Sequence, residues 1–469
     1  MDPRRFRRAV LRLGATVTVA AAVAVPSPAW AAEPFTPGSA GLGDPYFPRS
    51  GNGGYDVSHY DISLRYAPGA RRIHATTKIT ATATQDLSRF DLDYRGPRIS
   101  KLLVDGQPAD FRRRGQELIV TPSPIAEGSE FQVTVVYAGR VRPLTDPDGS
   151  LEGWVPTGDG AYVADEPRGA PTWFPCNDYP TDKATYGLRL TVPRGRKAFG
   201  NGILEERVDH SRRTTFVWNQ DDPMATYLAT ATNGRFKLRS STVNGMPSFV
   251  ALDPREARKA RKPLRKIPAI HTLFSTSFGD YPFAATGAIV DRAPRVGYAL
   301  ETQPQPEYPS APGVGIVAHE TAHQWFGDAV TPERWRDIWL NEGFATWSQW
   351  LWKARTVGPS LESRFRRLYK TRAGARSFWN PPPGDPGGAK NLFVGSIYVR
   401  GALTLEALRE RLGDATFYAI LRRWFAEHRY GNASVEDFIA LAGSESGEDL
   451  GHFFDVWLFQ RGKPRGWNE

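Results

Sequence analysis

The chain has 469 residues and a formal net charge of +10, with 40% hydrophobic and 12% aromatic residues and fourteen Trp. That composition supports two or three domains with sizeable cores and excludes a chain disordered throughout. The basic residues are dispersed, with no arginine-rich arm and no interleaved basic–aromatic stripe, so the charge reads as solvated surface and no nucleic-acid partner is expected.

In chain order, Arg4, Arg5, Arg7, Arg8 and Arg12 form a basic n-region, the segment 13–25 is uncharged and mostly apolar, and Ala29-Trp30-Ala31 supplies an A-x-A cleavage pattern. This predicts a signal peptide over 1–31, cleaved after Ala31, and a secreted, extracellular product. Without the five arginines and Asp2 of that leader the net charge is +6. The apolar stretch is too short to span a bilayer, and no later stretch approaches eighteen apolar residues, so no stable membrane insertion is expected after cleavage. The arginine pairs leave the general secretory and twin-arginine routes both open. Cys176 is the only cysteine, which rules out an internal disulfide and is read as a buried small apolar side chain.

Residues 32–50 are rich in Pro, Gly and Ser and read as a flexible leader. Over 51–238 the texture is strand-like: His59 to Tyr66 and Phe131 to Tyr137 alternate apolar with polar residues, and turn residues separate such runs. This predicts an all-β domain of packed sheets. Over 239–469 helical periodicity takes over. Leu264, Ile267, Ile270, Leu273 and Phe274 recur at helical intervals within 254–278, opposite a basic face. Helical segments are predicted at 314–328, 335–355, 361–369, 398–412, 415–428, 435–442 and 450–460, with a loop at 380–390. The fold class is therefore α+β, an all-β N-terminal domain followed by a mainly α domain.

The helical half contains His319-Glu320-Thr321-Ala322-His323, and Glu342 follows nineteen positions after His323 within Trp339-Leu340-Asn341-Glu342-Gly343-Phe344-Ala345. Positions i and i+4 of a helix share a face, so two imidazoles at that spacing reach one ion without breaking the helix. Glu320 projects beside the metal, where a general base for an activated water belongs. Glu342, returned by a second helix, supplies a third ligand and leaves a fourth position open, as catalytic zinc requires. One zinc ion per chain is expected, held by His319, His323 and Glu342.

These residues, with Gln324-Trp325-Phe326-Gly327-Asp328 after them, resemble the zinc core of the aminopeptidase N family of gluzincins. Phe174-Pro175-Cys176-Asn177-Asp178-Tyr179-Pro180 with Lys183-Ala184 is similar to that family's F-P-C-x-D-x-P-x-x-K-A signature. Tyr398-Val399-Arg400-Gly401-Ala402 resembles its Y-x-K-G-A segment, with Arg in place of Lys, and Phe278 to Phe283 and Trp457 to Pro464 also fit. The resemblance spans about residues 45 to 465, in the family's order.

It implies a saddle-like β domain followed by a thermolysin-like catalytic domain. It implies a secreted zinc aminopeptidase that hydrolyses the N-terminal bond of peptides with a free amine. Glu320 would be the general base, and Tyr398 would donate to the oxyanion. Glu301 would bind the α-amine as the counterpart of the G-A-M-E-N glutamate, here Tyr298-Ala299-Leu300-Glu301-Thr302. Glu166, ten residues before Cys176, would bind the amine beside it. Ala299 and Leu300 would shape the pocket for the first residue. Tyr298, Leu300 and Thr302 depart from the family's glycine, methionine and asparagine, which leaves first-residue preference open, with Gly297 adjacent as partial compensation.

Longer members of the family add a small β domain and a large helical domain over the active site. A short form without that helical domain is expected here, with a more open cleft. Alternatives are a zinc endopeptidase, an epoxide hydrolase sharing the metal site, and a non-catalytic peptide-binding module. Oligomeric state and the physiological peptide are not legible in the sequence.

Overall fold

The alternating stretches of the first half become a single large sheet in the computed structural model, which describes residues 35–466. The predicted leader peptide and its cleavage point lie outside the described residues. Tyr55–Ala67, Arg72–Ala83, Glu130–Arg140, Lys183–Pro193 and Arg213–Ala225 are long strands of an eight-stranded sheet. In the first of them Tyr60, Ile62, Leu64 and Tyr66 are buried at every second position, the period a pleated strand imposes. Tyr55 and Val57 are buried in the opposite phase because the register shifts between Val57 and His59, where a bulge inserts one residue. Smaller sheets of four and five strands complete an all-β N-terminal region.

Residues 35–50 differ from the expected flexible leader. Thr36–Pro37 pairs in parallel with Leu87–Asp93, and Phe47 is buried against Trp335 with ring centroids 6.3 Å apart. The Asp44 carboxylate accepts from the backbone N–H groups of Tyr46, Phe47 and Trp335 and from the Tyr179 hydroxyl. Composition alone does not reveal an aromatic anchor and a capping carboxylate among prolines and glycines.

The second half also begins with a sheet, against the expectation of a mainly helical start. Lys237–Val243, Met246–Leu252, Thr286–Val290 and Glu307–Tyr308 form it, with an antiparallel first pair and parallel pairs after it. Between its second and third strands run helices α1 (Ala257–Leu264) and α2 (Ile267–Phe278), on the periodicity seen at 254–278. Next come α3 (Val314–His323), α4 (Trp339–Ala354), α5 (Leu361–Thr371) and α6 (Arg376–Trp379). Then follow α7 (Gly395–His428), α8 (Val435–Ser446) and α9 (Gly451–Phe454). Within α7, Gly413 has φ 79° and ψ 162°. That left-handed φ suits glycine and separates the two helical segments read from the sequence. No helix among the described residues is long and apolar enough to cross a membrane.

Two devices position the site. First, α4 crosses α7 at two glycines: a Cβ built on Gly401 would lie 2.9 Å from the Gly343 Cα, and one built on Gly343 would lie 3.1 Å from Gly401. Only residues without a Cβ permit that backbone approach, and it brings the start of α7, with Tyr398, against the helix carrying Glu342. Second, the end of the F-P-C signature and the Lys183 that follows it tie the two halves, with the Asn432 amide donating to the Pro180 carbonyl at 2.8 Å. Cys176 is buried and its backbone exchanges hydrogen bonds with Asp93, while Asp178 accepts from the Thr226 hydroxyl. Lys183 sends its ammonium across to the carbonyls of Asp328, Ala329 and Gly431 at 3.0, 3.2 and 2.8 Å.

Arg400, in place of the family's lysine, is fully buried and donates to the carbonyls of Val456, Trp457, Gln460, Gly462 and Trp379. Five acceptors match the guanidinium's donor capacity, so this charge is dispersed over backbone dipoles and ties the C-terminal segment to α7.

Candidate metal centre and substrate cleft

Helix α3 is buried along its catalytic turns: Val317 through His323 are all buried, the polar members included. A polar side chain buried on such a helix needs a partner from elsewhere, and α4 supplies it. His319 Nε2 lies 3.2 Å and His323 Nε2 3.6 Å from the same Glu342 Oε2, and the imidazole centroids are 4.8 Å apart. The three donor atoms lie within 4.8 Å of one another. His323 Nδ1 is 3.1 Å from the Phe326 carbonyl. A proton on Nδ1 donates there, which orients the ring and leaves Nε2 for a metal.

The electrostatics of this triangle demand positive charge. Burial alone would lower His323, yet the carboxylates of Glu301 and Glu342 raise its pKa well above the usual histidine value. Burial also works to raise Glu342, but the His323 charge and the hydrogen bonds from both histidines hold it down at about 2. A divalent cation at the centre supplies that charge in place of a proton. Two imidazoles, one carboxylate and a fourth direction open to a cavity are the donor set of catalytic zinc, and a single zinc ion fits.

Glu320 lies beside the triangle rather than in it. Burial raises its carboxyl well above the ordinary range, partly offset by His323 and reinforced by Glu301 and Glu342. A carboxyl that holds a proton closer to neutrality is suited to taking one up and passing it on. Tyr398 is half-buried, its ring stacked 6.1 Å from that of His319 at 20°.

The triangle opens into a cavity of about 1000 Å³, lined from both halves of the chain: Asp148 to Leu151 and Glu166 from the β region, and Tyr298, Ala299 and Glu301 from the segment before the last strand of the second sheet. His319, Glu320 and His323 of α3, Glu342 of α4 and Tyr398 of α7 complete its chemical wall. Glu166 and Glu301 are each more than nine-tenths buried, and each presents an Oε1 with no hydrogen-bond partner. Glu301 Oε1 is 4.0 Å from His323 Nδ1, and the Glu301 carbonyl is held by the Gln324 side chain at 2.8 Å. Burial raises Glu166 well above its ordinary pKa, with the charges of Glu301 and Glu342 adding to it. Two buried carboxylates with idle oxygens call for a cation from the cavity.

Leu300 corrects the sequence expectation. It is 0% exposed, does not line the cavity, and packs with Val155, Tyr162, Ala164, Ala293 and Val296. Its N–H and carbonyl are both paired with Glu307, at 2.9 and 2.7 Å. Side chains alternate along an extended segment, so Ala299 and Glu301 face the cleft while Leu300 faces away. Tyr298 reaches the cavity wall too, and its hydroxyl donates to the Leu151 carbonyl at 3.0 Å, bridging the two halves. Gly297 also lines the cavity, and a Cβ built on it would meet nothing within 4 Å.

Sequence reasoning missed Thr346, Gln349 and Trp350, which line the cavity. They follow Glu342 at four, seven and eight positions, and one helix face repeats at that spacing. It also missed the tie from Lys183, Phe393 just before α7, and Arg295.

Two models of one family match the chain in order: the Peptidase M1 N-terminal domain over residues 57–228 and the Peptidase family M1 domain over 309–457. A probable aminopeptidase 1 of Sulfurisphaera tokodaii is 26% identical over 81% of this chain and 50% of its own length. The chain spans about half the length of the curated relatives it matches. A crystal structure of a two-domain M1 zinc metallopeptidase bound to L-arginine superposes with a TM-score of 0.83 at 29% identity, covering 91% of this chain and 99% of that one. An M1 zinc metallopeptidase from Deinococcus radiodurans bound to a Tyr-ser-ala substrate gives a TM-score of 0.81 at 28% identity, covering 91% and 100%. Fold and donor set together define a gluzincin. The chain belongs to the M1 family of peptidases, those of the aminopeptidase N type.

Proposed function

We propose that this chain is a zinc-dependent aminopeptidase that removes the first residue of peptides with a free N-terminus. The observation that carries this reading is the pair of buried carboxylate oxygens of Glu166 and Glu301 without hydrogen-bond partners, lining the cavity beside the histidine–glutamate triangle. An α-ammonium placed there satisfies both carboxylates and sets the distance from the chain end to the bond that breaks. His319, His323 and Glu342 hold the zinc, which when bound polarises the scissile carbonyl and makes water a nucleophile at neutral pH. Glu320 takes the proton of the attacking water and delivers it to the leaving amine. The Tyr398 hydroxyl donates to the oxyanion that develops on the scissile carbonyl. Ala299 faces the first residue of the substrate, while Leu300 backs that wall from the core. The related structures holding L-arginine and a Tyr-ser-ala substrate support a first-residue pocket that takes large side chains. The basic, apolar and A-x-A pattern of residues 1–31 supports export, with cleavage after Ala31.

The test is hydrolysis of a panel of aminoacyl-amides by the purified protein, before and after chelation and after zinc is restored. Activity on free amines that chelation abolishes and zinc restores is the expected result. Equal cleavage of N-acetylated peptides would select an endopeptidase instead.

A further inference from the structure

The cleft has an electrical polarity that peptide-bond hydrolysis does not require. Four carboxylates, those of Glu166, Glu301, Glu320 and Glu342, crowd its inner end. Among the described residues, Arg295 is the only lysine or arginine that lines it. Its side chain is exposed and has no hydrogen-bond or ion-pair partner among the described residues. The other charged group outside that crowd, Asp148, turns back to accept the Ser150 N–H at 2.8 Å. Arg295 precedes Glu301 by six positions on the segment that forms one wall of the cavity. Six positions reach at most about 20 Å when fully extended, which bounds the distance between the two Cα atoms.

We propose that Arg295 binds the C-terminal carboxylate of short peptides whose α-amine sits against Glu166 and Glu301. This deepens the aminopeptidase reading and rests on it. A zwitterionic peptide of three to five residues spans about 10–17 Å extended, which falls within the reach that six positions allow. A guanidinium at an exposed rim pairs with a carboxylate through two parallel N–H donors. Longer peptides carry their carboxylate past Arg295 and gain nothing from it. The substrate class is therefore oligopeptides with both ends free, tripeptides and tetrapeptides foremost.

The experiment compares Ala-Ala-Ala as free acid with its C-terminal amide on the zinc-loaded enzyme, together with Ala-Ala-Asp-amide, in which a side chain supplies the only carboxylate. The wild type should favour the free acid by about five- to tenfold in kcat/KM, carried by KM, and the preference should shrink as ionic strength rises from 0.05 to about 0.5 M. Arg295→Gln should bring the acid-to-amide ratio close to one and Arg295→Glu below one, while Arg258→Gln, on an exposed face of α1, should leave the ratio at the wild-type value. A six-residue peptide should show no preference in any variant.

Calorimetric binding of the acid and the amide to the zinc-loaded Glu320→Gln variant decides the matter whatever the turnover. Tighter binding of the acid that Arg295→Gln removes sustains the proposal. Equal binding of acid and amide, or a preference that persists in Arg295→Gln, overturns it. If Ala-Ala-Asp-amide is favoured and the free tripeptide acid is not, the group recognised is an acidic side chain and the proposal fails in that form. Failure to cleave any of the three, with acid-selective binding intact, counts against the aminopeptidase reading alone.

Discussion

The metal triangle and the proposed amine pair, Glu166 and Glu301, sit side by side in one cavity and use the same buried carboxylate chemistry, but they are assembled differently. His319, His323 and Glu342 come from two helices, α3 and α4, that lie close in sequence. Glu166 and Glu301 come from opposite halves of the chain, one following a strand of the β region and the other beside the last strand of the second sheet. The triangle is built by helix periodicity and one helix–helix contact. The amine pair exists only when the two halves are docked, through Lys183, the Tyr298 hydroxyl and the packing of Phe47 on Trp335. Perturbations of the docking should therefore alter how a substrate is measured before they alter how a metal is held.

The sharpest test within the metal region is Glu320→Gln. It should cut kcat by about 10³-fold or more, since general acid–base groups contribute on the order of 10²–10⁴, while zinc stays at one per chain by atomic absorption. A parallel fall in zinc content would show that base and ligand functions are not separable here.

Next in size is Glu301→Gln, which leaves the triangle in place and removes half of the proposed amine site. Free-amine substrates should lose about 100-fold in kcat/KM, as for one partner of a buried charge pair, and zinc content should not change. Equal loss on N-acetylated peptides would detach Glu301 from amine recognition.

The smallest effect on turnover, and the most informative for the comparison, is expected from Lys183→Met. It leaves the carbonyls of Asp328, Ala329 and Gly431 without their shared donor, at a stability cost of about 2–3 kcal/mol that a denaturation midpoint reports. KM for tripeptides should rise a few-fold with zinc still bound. If zinc is lost before KM moves, the triangle depends on the docked halves as much as the amine pair does, and the contrast between them collapses.

The two regions also differed in legibility. His319, Glu320, His323 and Glu342 were readable because periodicity 3.6 puts i and i+4 on one face whatever the rest of the chain does, and Thr346, Gln349 and Trp350 could have been read from the same rule. Glu301 and Glu166 were reachable only through resemblance, because nothing in their local sequence separates a buried, idle carboxylate from a solvated one. The orientation of Leu300 was misread because alternation along a short extended segment has no visible phase until its pairing with Glu307 sets it. The segment 35–50 was misread because a few anchors, Asp44 and Phe47 among them, outweigh a composition of turn residues.

By itself the sequence determined the strand-rich first half, the mainly helical character of the second, the donor set for one zinc ion and the carboxylate of Glu320 beside it. All of these follow from local periodicity and from the chemistry of single side chains. Only the tertiary structure decided that α4 and α7 meet at Gly343 and Gly401, that Arg400 gathers five carbonyls, that Glu166 joins Glu301 across the two halves, and that Arg295 lines the same cleft as four carboxylates. Those are contacts between residues tens to hundreds of positions apart, and they arise from packing and from the need to satisfy buried charge, neither of which is written in any one stretch of the chain.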